Sequence, residues 1–268
     1  MSKSELPNMS SNNNTATLSS TPMYVQATAV DASAYPSVQA INAQPLYPDT
    51  DRYETEQDAV ARDDPFGLSS PINASGAREY LSRSEHKWPV GLVETFIQNL
   101  SHVPIRFIIC DDSGSMMAND GHRFVLQTNG KMKELKCSRW AELTCSLKFH
   151  AGLAKSSNAA TEFRFLNNSK PILIGGSMSH THNYDTFVSL LEGSPTGGTP
   201  LCHHIREIVA RIREMAPTLR LHHQVACVVI ATDGESSDGD VAAAMAPLKD
   251  LPVWVVIRLC TDDSRVVG

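Results

Sequence analysis

This sequence lacks any apolar stretch approaching the roughly 20 residues that a membrane-spanning helix needs. Its first residues lead into serine and asparagine, so the apolar core of a secretory signal peptide is missing too. The six cysteines include no Cys-x-x-Cys pair, and Cys110, Cys227 and Cys260 lie inside or at the end of apolar runs. Buried reduced thiols are the simplest interpretation, rather than a disulfide or metal framework. We therefore expect an intracellular, cytoplasmic protein with no membrane insertion.

Positive charge is also scarce, and the formal net charge of the chain is −6. Residues 1–85 hold five Lys and Arg against eleven Asp and Glu, whereas residues 86–268 hold 18 of each sign. The acidity therefore belongs to the N-terminal part, and the remainder is neutral. Without a cluster of Lys and Arg, the sequence predicts neither a nucleic-acid surface nor an anionic-membrane surface.

A sustained hydrophobic period is missing from the first third of the chain. Serine, threonine, asparagine, alanine and proline dominate residues 1–84, and residues 49–64 add seven acids and two arginines. We predict a disordered, acidic low-complexity tail over residues 1–84. A helix leading into the domain is predicted over residues 85–104, and an α/β domain over residues 105–268.

From residue 105 onward, apolar strand-like runs alternate with helical patterns. Strands are predicted at 105–110, 161–166, 171–174, 225–230 and 253–259, and helices at 138–154, 186–191, 202–215 and 241–251. This alternation, with near-continuous apolar strands, predicts a mostly parallel central sheet with helices on both faces. The pair Asn129-Gly130 favours a tight turn, so we also predict a β-hairpin over residues 124–135.

Oxygen-bearing side chains follow two of these strands and one loop. The sequence Asp-Asp-Ser-Gly-Ser at 111–115 directly follows the first strand, and Asp233 comes shortly after the run 225–230. Thr199 lies in the loop Gly-Gly-Thr-Pro-Leu at 197–201. Ligands of open α/β sheets gather beyond the carboxyl ends of the strands. Two carboxylates and three hydroxyls suit a hard divalent cation such as Mg²⁺ and leave a coordination position open.

The residues Asp111, Ser113, Ser115, Thr199 and Asp233 resemble the metal ion-dependent adhesion site of the von Willebrand factor type A (VWA) domain. That site combines an Asp-x-Ser-x-Ser loop with a separate threonine loop and a separate aspartate loop, in this order. The resemblance covers the chain from about residue 100 and implies a Rossmann-like domain carrying one Mg²⁺, or sometimes Mn²⁺. It implies that the two serines bind the ion directly, and that Thr199 and the two aspartates bind directly or through water.

The resemblance also implies a protein partner whose Asp or Glu completes the coordination shell. Because the hydroxyl ligands are neutral, the charge of the ion stays under-compensated and can attract a carboxylate. Two features depart from the family. The predicted hairpin would enlarge the rim of the site. The VWA sheet usually has a sixth strand and a final helix, whereas this chain stops at Gly268, so we expect a domain without them.

A metal-dependent hydrolase or phosphatase on the same site is the first alternative. Phosphoryl-transfer enzymes with an Asp nucleophile often carry a second Asp two residues later, where this chain has Ser113. The adjacent Asp112 should point away from Asp111, because neighbouring side chains of an extended segment face opposite directions. The sequence also contains neither a P-loop nor a Gly-x-Ser-x-Gly elbow. We therefore expect a binding protein and no enzyme.

Two further alternatives concern other parts of the chain. A scaffold could act mainly through its tail while the domain only assembles. Zinc could bind the histidines at positions 180, 182, 203, 204, 222 and 223. Adjacent histidines rarely both reach one ion, and no cysteine stands at finger spacing, so surface or capping histidines are the simpler interpretation. The sequence specifies neither the partner nor the oligomeric state.

Overall fold

The structure, a computed structural model, describes residues 64, 66–83, 85–126, 131–168 and 170–261. The strands in these ranges are β1 (Ile105–Cys110), β2 (Gly121–Leu126), β3 (Met132–Cys137), β4 (Ala160–Phe165), β5 (Ile172–Ile174), β6 (Ala226–Thr232) and β7 (Val253–Leu259). The α-helices are α1 (Ala74–Ser82), α2 (Val90–Leu100), α3 (Arg139–Ser157), α4 (Asn183–Leu191), α5 (Leu201–Leu221) and α6 (Val241–Met245). Short 3₁₀ helices span Gly114–Met117 and Ala246–Asp250.

Five strands form one sheet in the order β5-β4-β1-β6-β7. All neighbours are parallel except β5, which is antiparallel to β4 and lies at one edge. The predicted α/β fold with a mostly parallel sheet is confirmed. Because β1 is central and pairs with both β4 and β6, its carboxyl end lies between theirs: Cys110 is opposite Phe165 on one side and Ala231 on the other.

The core lies on both faces of the central strand. Phe107 and Ile109 are fully buried and belong to the cluster built with α5, whereas Ile108 and Cys110 belong to the cluster built with α3 and α4. This alternation follows from the two-residue period of a strand. Each large apolar side chain buried in this way contributes about 1.5–3 kcal/mol relative to exposure. Because β1 is packed on both faces, the loop that follows it begins from a fixed position in the core.

The predicted hairpin is confirmed outside its turn. Strands β2 and β3 pair in antiparallel fashion, with Gly121 opposite Cys137 and Leu126 opposite Met132. The hairpin is therefore longer than the predicted range 124–135, and its predicted Asn-Gly turn lies outside the described residues. Strands β2 and β3 form a separate two-stranded sheet, and one residue separates the end of β3 from the start of α3.

Helix α1 corrects the prediction of a disordered segment up to residue 84. It begins after Asn73, whose side chain accepts a hydrogen bond from the Gly76 N–H and caps the helix. Leu81 is fully buried in a cluster with Val93 of α2 and Leu153 of α3. The sequence analysis missed α1 because its apolar positions are few, and burial against other helices stabilises it. Residues 1–63 of the predicted tail lie outside the described residues.

The helix predicted at 85–104 is found as the shorter α2, and most later elements are found with shifted ends. The helix predicted at 241–251 instead divides into α6 and the 3₁₀ helix Ala246–Asp250. Helix α5 continues beyond the predicted residue 215 through Pro217 to Leu221, because Leu219 remains fully buried on its inner face. Strand β7 has its predicted bounds, but its side chains are not covered on both faces: Trp254, Val256 and Ile257 are about half exposed. In the described ranges, no helix is both long and apolar enough to cross a membrane.

Candidate metal site

The two predicted carboxylates come together at the carboxyl end of the sheet. Asp111 follows β1 and Asp233 follows β6, and both side chains are buried. The backbone N–H of Asp111 donates to the Ala231 carbonyl at 3.0 Å, which extends the pairing of the two strands by one residue. Parallel neighbours that end at the same level therefore hold both aspartates at one place, as the sequence predicted.

Asp111 is held in place by two hydrogen bonds. Its Oδ1 accepts the Ser113 N–H at 2.9 Å, and its Oδ2 accepts the Thr232 hydroxyl at 2.6 Å. Thr232 is the last residue of β6, and its side chain is buried beside Asp111. Sequence reasoning missed Thr232, although its position directly before Asp233 was visible. This hydroxyl fixes the carboxylate orientation and offsets part of the penalty of burying its charge.

The two serines connect Asp111's loop to Asp233 through a chain of oxygens. The Ser113 and Ser115 hydroxyl oxygens are 2.9 Å apart, and Ser115 Oγ donates to Asp233 Oδ1 at 2.9 Å. Ser113 is buried, whereas Ser115 is exposed. The group is therefore closed toward the sheet and open toward solvent at Ser115, which is the arrangement an exchangeable ligand needs.

The loop that carries Thr199 reaches the site through the backbone of Gly197. The carbonyl of Gly197 accepts the Gly114 N–H at 3.2 Å, so the threonine loop touches the serine loop. The Thr199 carbonyl accepts the Ser237 N–H at 2.8 Å, and the Ser237 hydroxyl accepts the Thr199 N–H at 3.2 Å. Within the described residues, the Thr199 hydroxyl makes no hydrogen bond to the other four candidates. It is half-buried and available to another ligand.

Asn167 connects the first loop to the threonine loop. The Oδ1 of Asp112 accepts both the backbone N–H and the side-chain amide of Asn167, at 2.9 and 3.0 Å. The same amide donates to the Gly198 carbonyl at 3.0 Å. Sequence reasoning missed this role of Asn167. Burial raises the pKa of Asp112, and its hydrogen bonds with Asn167 counter this effect. The Asp112 carboxylate is therefore bound to Asn167 and makes no described hydrogen bond to the Ser113–Ser115–Asp233 chain.

Arg139, the first residue of α3, was also missed by the sequence analysis. Its Nη1 donates to Asp233 Oδ2 at 2.8 Å, while Nε and Nη2 donate to the two Asp120 oxygens at 2.6 and 2.7 Å. The hydrogen bonds with Arg139 lower the pKa of Asp120 to about 2, and they raise the pKa of Arg139. No local pattern announces this contact, because Arg139 and Asp233 are brought together only by the fold.

The donor set fits a hard cation. Adjacent oxygens around an octahedral Mg²⁺ at 2.0–2.1 Å are about 2.9 Å apart, and both links of the Ser113–Ser115–Asp233 chain have this length. A hydrogen bond has the same length, so the spacing permits an ion and does not require one. Across the described residues, no group of three or more His, Cys, Asp or Glu side chains is placed to hold a metal. Hydroxyls must therefore contribute to any cation site formed by Asp111 and Asp233.

Within the described ranges, the histidines of the zinc alternative belong to no group of three or more His, Cys, Asp or Glu side chains that could hold a metal. His180 and His182 stack on each other with ring centres 5.7 Å apart, and His203 is exposed on α5. His204 is buried, with Nε2 3.1 Å from the Leu166 carbonyl.

Comparison with protein-family models finds no match to this chain, and a search of curated proteins finds none either. A proposal about function therefore rests on the geometry of the site and on the sequence.

Proposed function

We propose that this chain is a divalent-metal-dependent protein interaction module of the VWA type. In this proposal Asp111, Ser113, Ser115, Thr199 and Asp233 hold one Mg²⁺ or Mn²⁺, and an Asp or Glu of a protein partner completes the shell. The ion supplies the positive charge that attracts the partner's carboxylate. The observation that carries the proposal is the hydrogen-bonded oxygen chain Ser113–Ser115–Asp233, which is closed beneath by buried Asp111 and open to solvent above.

Two observations support this proposal, the arrangement of the loops and the state of the cysteines. The parallel strand order β4-β1-β6 places the serine loop and the aspartate loop side by side, and Ser237 fixes the threonine loop beside them. The six cysteines form no disulfide in the part of the chain that the structure describes, which suits a reducing compartment and so an intracellular role. The finer assignment to a Rossmann-like VWA domain rests on this strand order together with the Asp-x-Ser-x-Ser loop.

The hydrolase alternative receives less support from the geometry. A phosphoryl-transfer mechanism with Asp111 as nucleophile would use a second Asp two residues later, where this chain has Ser113, and the adjacent Asp112 binds Asn167 with its Oδ1. The scaffold alternative concerns residues 1–63, which lie outside the described residues. A turnover assay with generic phosphoesters and Mg²⁺ separates an enzyme from a binder, since a binder hydrolyses none of them. Deleting residues 1–63 and repeating a partner pull-down separates a scaffold from a metal-dependent module.

The direct test of the metal site is calorimetric titration of the full chain with MnCl₂. Wild type is expected to bind one ion, and Asp111→Ala is expected to abolish binding while the far-UV circular dichroism remains that of a folded domain. The partner is sought by a pull-down from native lysate with and without EDTA. Binding that survives chelation would assign the interaction to another surface, and an absence of Mn²⁺ binding by wild type would overturn the proposal.

Thr199→Ala is a milder test, because within the described residues the hydroxyl makes no hydrogen bond to the other candidates and its loss should not destabilise the fold. Loss of one oxygen ligand is expected to weaken Mn²⁺ binding by at least about tenfold. Thr196→Ala is the matched control in the same loop, since the described contact of Thr196 is made by its backbone N–H, which donates to the Asp112 carbonyl at 2.8 Å. Equal affinities of the two variants would remove Thr199 from the ligand set.

A further inference from the structure

Arg139 places a permanent positive charge against the candidate metal site. Its guanidinium donates at 2.8 Å to Asp233, the residue that also accepts the Ser115 hydroxyl. The arginine side chain is only 14% exposed, and that of Asp233 only 1%. Water therefore screens this charge weakly, and the charge acts on anything bound to Asp233.

The position of Arg139 is unfavourable for its own helix. Ser138 caps α3 by accepting the Ala141 N–H at 3.2 Å, which makes Arg139 the first helical residue. The N-terminus of a helix carries partial positive charge, so acidic residues stabilise it and basic residues do not. The arginine is better explained by its contacts with Asp233 and Asp120, and both of these lie at the site or its rim.

Two roles are compatible with these contacts, and they differ in what they predict. In a structural role, Arg139 fastens the base of the β2–β3 hairpin, since Asp120 directly precedes β2 and Arg139 follows β3 after one residue. In an electrostatic role, the charge of Arg139 opposes a second cation beside Asp233. An ion bound there then keeps more uncompensated charge for a partner's carboxylate.

We propose that Arg139 sets the charge of the metal site, weakening its hold on a divalent cation so that the bound ion attracts an acidic partner more strongly. This inference rests on the proposed function, since it requires a cation at Asp111 and Asp233. Asp120 takes part in the same effect, because its negative charge partly neutralises Arg139. Asp120 therefore determines how much of the arginine's positive charge acts on the bound ion.

The two roles are separated by Arg139→Gln and Asp120→Asn, each titrated with MnCl₂ in the full chain. Both changes break the same ion pair, but they alter the local charge in opposite directions. The electrostatic role predicts that Arg139→Gln binds Mn²⁺ on the order of tenfold more tightly than wild type, and that Asp120→Asn binds it more weakly by a similar factor. A structural role predicts that both variants bind more weakly, because each loosens the hairpin base.

Ionic strength provides a second readout that a structural role would not move. The ratio of the Asp120→Asn to the wild-type dissociation constant is expected to shrink between 50 and 500 mM NaCl, because the Asp120 side chain is 33% exposed and salt screens its charge more than that of the buried Arg139. Arg139→Lys keeps the charge but loses the bidentate contact with Asp120, so the electrostatic role predicts that it binds Mn²⁺ less tightly than Arg139→Gln. The matched controls are Arg78→Gln and Glu94→Gln, which break the exposed Arg78–Glu94 pair of α1 and α2 and should leave Mn²⁺ affinity unchanged.

The possible results separate this inference from the proposed function. If wild type binds no Mn²⁺, the proposed function itself fails. If wild type binds Mn²⁺ and the two variants shift in the same direction, or Arg139→Gln binds no more tightly than wild type, the charge-setting role is overturned and the metal site stands. Thermal unfolding in EDTA monitors the fold of each variant. Should Arg139→Gln not fold, a salt-independent ratio for Asp120→Asn overturns the inference.

Discussion

Among single residues, Asp111 has a buried carboxylate that depends on hydrogen-bond donors from its neighbours. Its two described hydrogen bonds come from the Ser113 N–H and the Thr232 hydroxyl, and the latter is shorter at 2.6 Å. A buried charge without donors is strongly destabilising, so these contacts belong to the stability of the domain as well as to the site. Removing one donor to Asp111 therefore tests how closely the stability of the domain is linked to the candidate metal site.

Thr232→Val should destabilise the metal-free domain by about 1.5–3 kcal/mol, the range for hydrogen bonds to charged groups. Valine has nearly the shape of threonine, so the change removes the hydroxyl that donates to Asp111 at 2.6 Å, together with its longer 3.4 Å contacts with the Gly234 backbone. Urea unfolding in EDTA measures the effect. The control is Thr95→Val, whose hydroxyl donates at 2.9 Å to the Gly91 carbonyl on an exposed helix surface and should change stability by less than about 0.5 kcal/mol. Equal effects would mean that Asp111 does not need Thr232.

Among elements, the loop that carries Thr199 depends on one backbone conformation. Gly197 has a φ of +90°, and an ideal Cβ at this position would lie 2.3 Å from Asn167 Oδ1. The Asn167 amide cannot move away freely, because it donates to Asp112 and to the Gly198 carbonyl. Glycine is therefore required here for both its conformation and its small size.

Gly197→Ala is expected to destabilise the domain by about 1–3 kcal/mol and to weaken metal binding, since the loop must shift. The control is Gly91→Ala in α2, where a Cβ would meet no atom within 4 Å. That change should raise the free energy of unfolding by about 0.5–1 kcal/mol, as for alanine in an exposed helix. Urea unfolding compares the two, and an unchanged Gly197→Ala protein would contradict the assigned role of the loop.

Helix α1 is the element whose inclusion in the domain most needs a test. Leu81→Ala should cost about 2–5 kcal/mol, because this fully buried side chain packs against Val93 and Leu153. Leu92→Ala on the exposed side of α2 is the matched control and should cost less than about 1 kcal/mol. The urea midpoints of the two variants decide. Similar midpoints would show that α1 is not part of the cooperative fold.

The elements differ in how visible they are in the sequence. Strands β1 and β7 have the predicted bounds, because continuous apolar runs are a strong local signal. The meeting of Asp111 with Asp233 also follows from the strand pattern, since parallel strands end at one edge. The contacts of Arg139 and Asn167 could not be predicted, because no strand pattern aligns Arg139 with Asp233 or Asn167 with Gly198. Helix α1 was missed because only Ala77, Tyr80 and Leu81 mark its apolar face, and burial against neighbouring helices stabilises it.

At the scale of the whole molecule, stability should depend on pH through His86. Its ring lies between Tyr80 and Phe149, with ring centres 4.5 and 5.0 Å away, and burial lowers its pKa. Glu85 Oε1, 3.8 Å from Nε2, acts in the opposite direction and is the smaller effect. The folded state therefore holds this proton less tightly than the unfolded chain, whose His pKa is about 6.5.

Because the unfolded state binds more protons below that pKa, the contribution of His86 is fully present above pH 6.5 and is lost as the pH falls toward the folded pKa. The loss is at most about 1.4 kcal/mol per pH unit for one proton. Urea unfolding between pH 7.5 and 5 should show a weaker decline for His86→Phe than for wild type. Exposed His222→Phe is the control, and a decline identical in all three proteins would remove His86 from the explanation.

The outer edge of the sheet has a consequence for handling the protein. In the described part of the chain, no strand pairs with the far side of β7, and Trp254, Val256 and Ile257 are about half exposed there. Unpaired backbone groups beside apolar side chains form a template for strand addition. We therefore expect β7 to limit solubility and expression yield, and lysine placed at position 256 to postpone the onset of light scattering in concentrated samples.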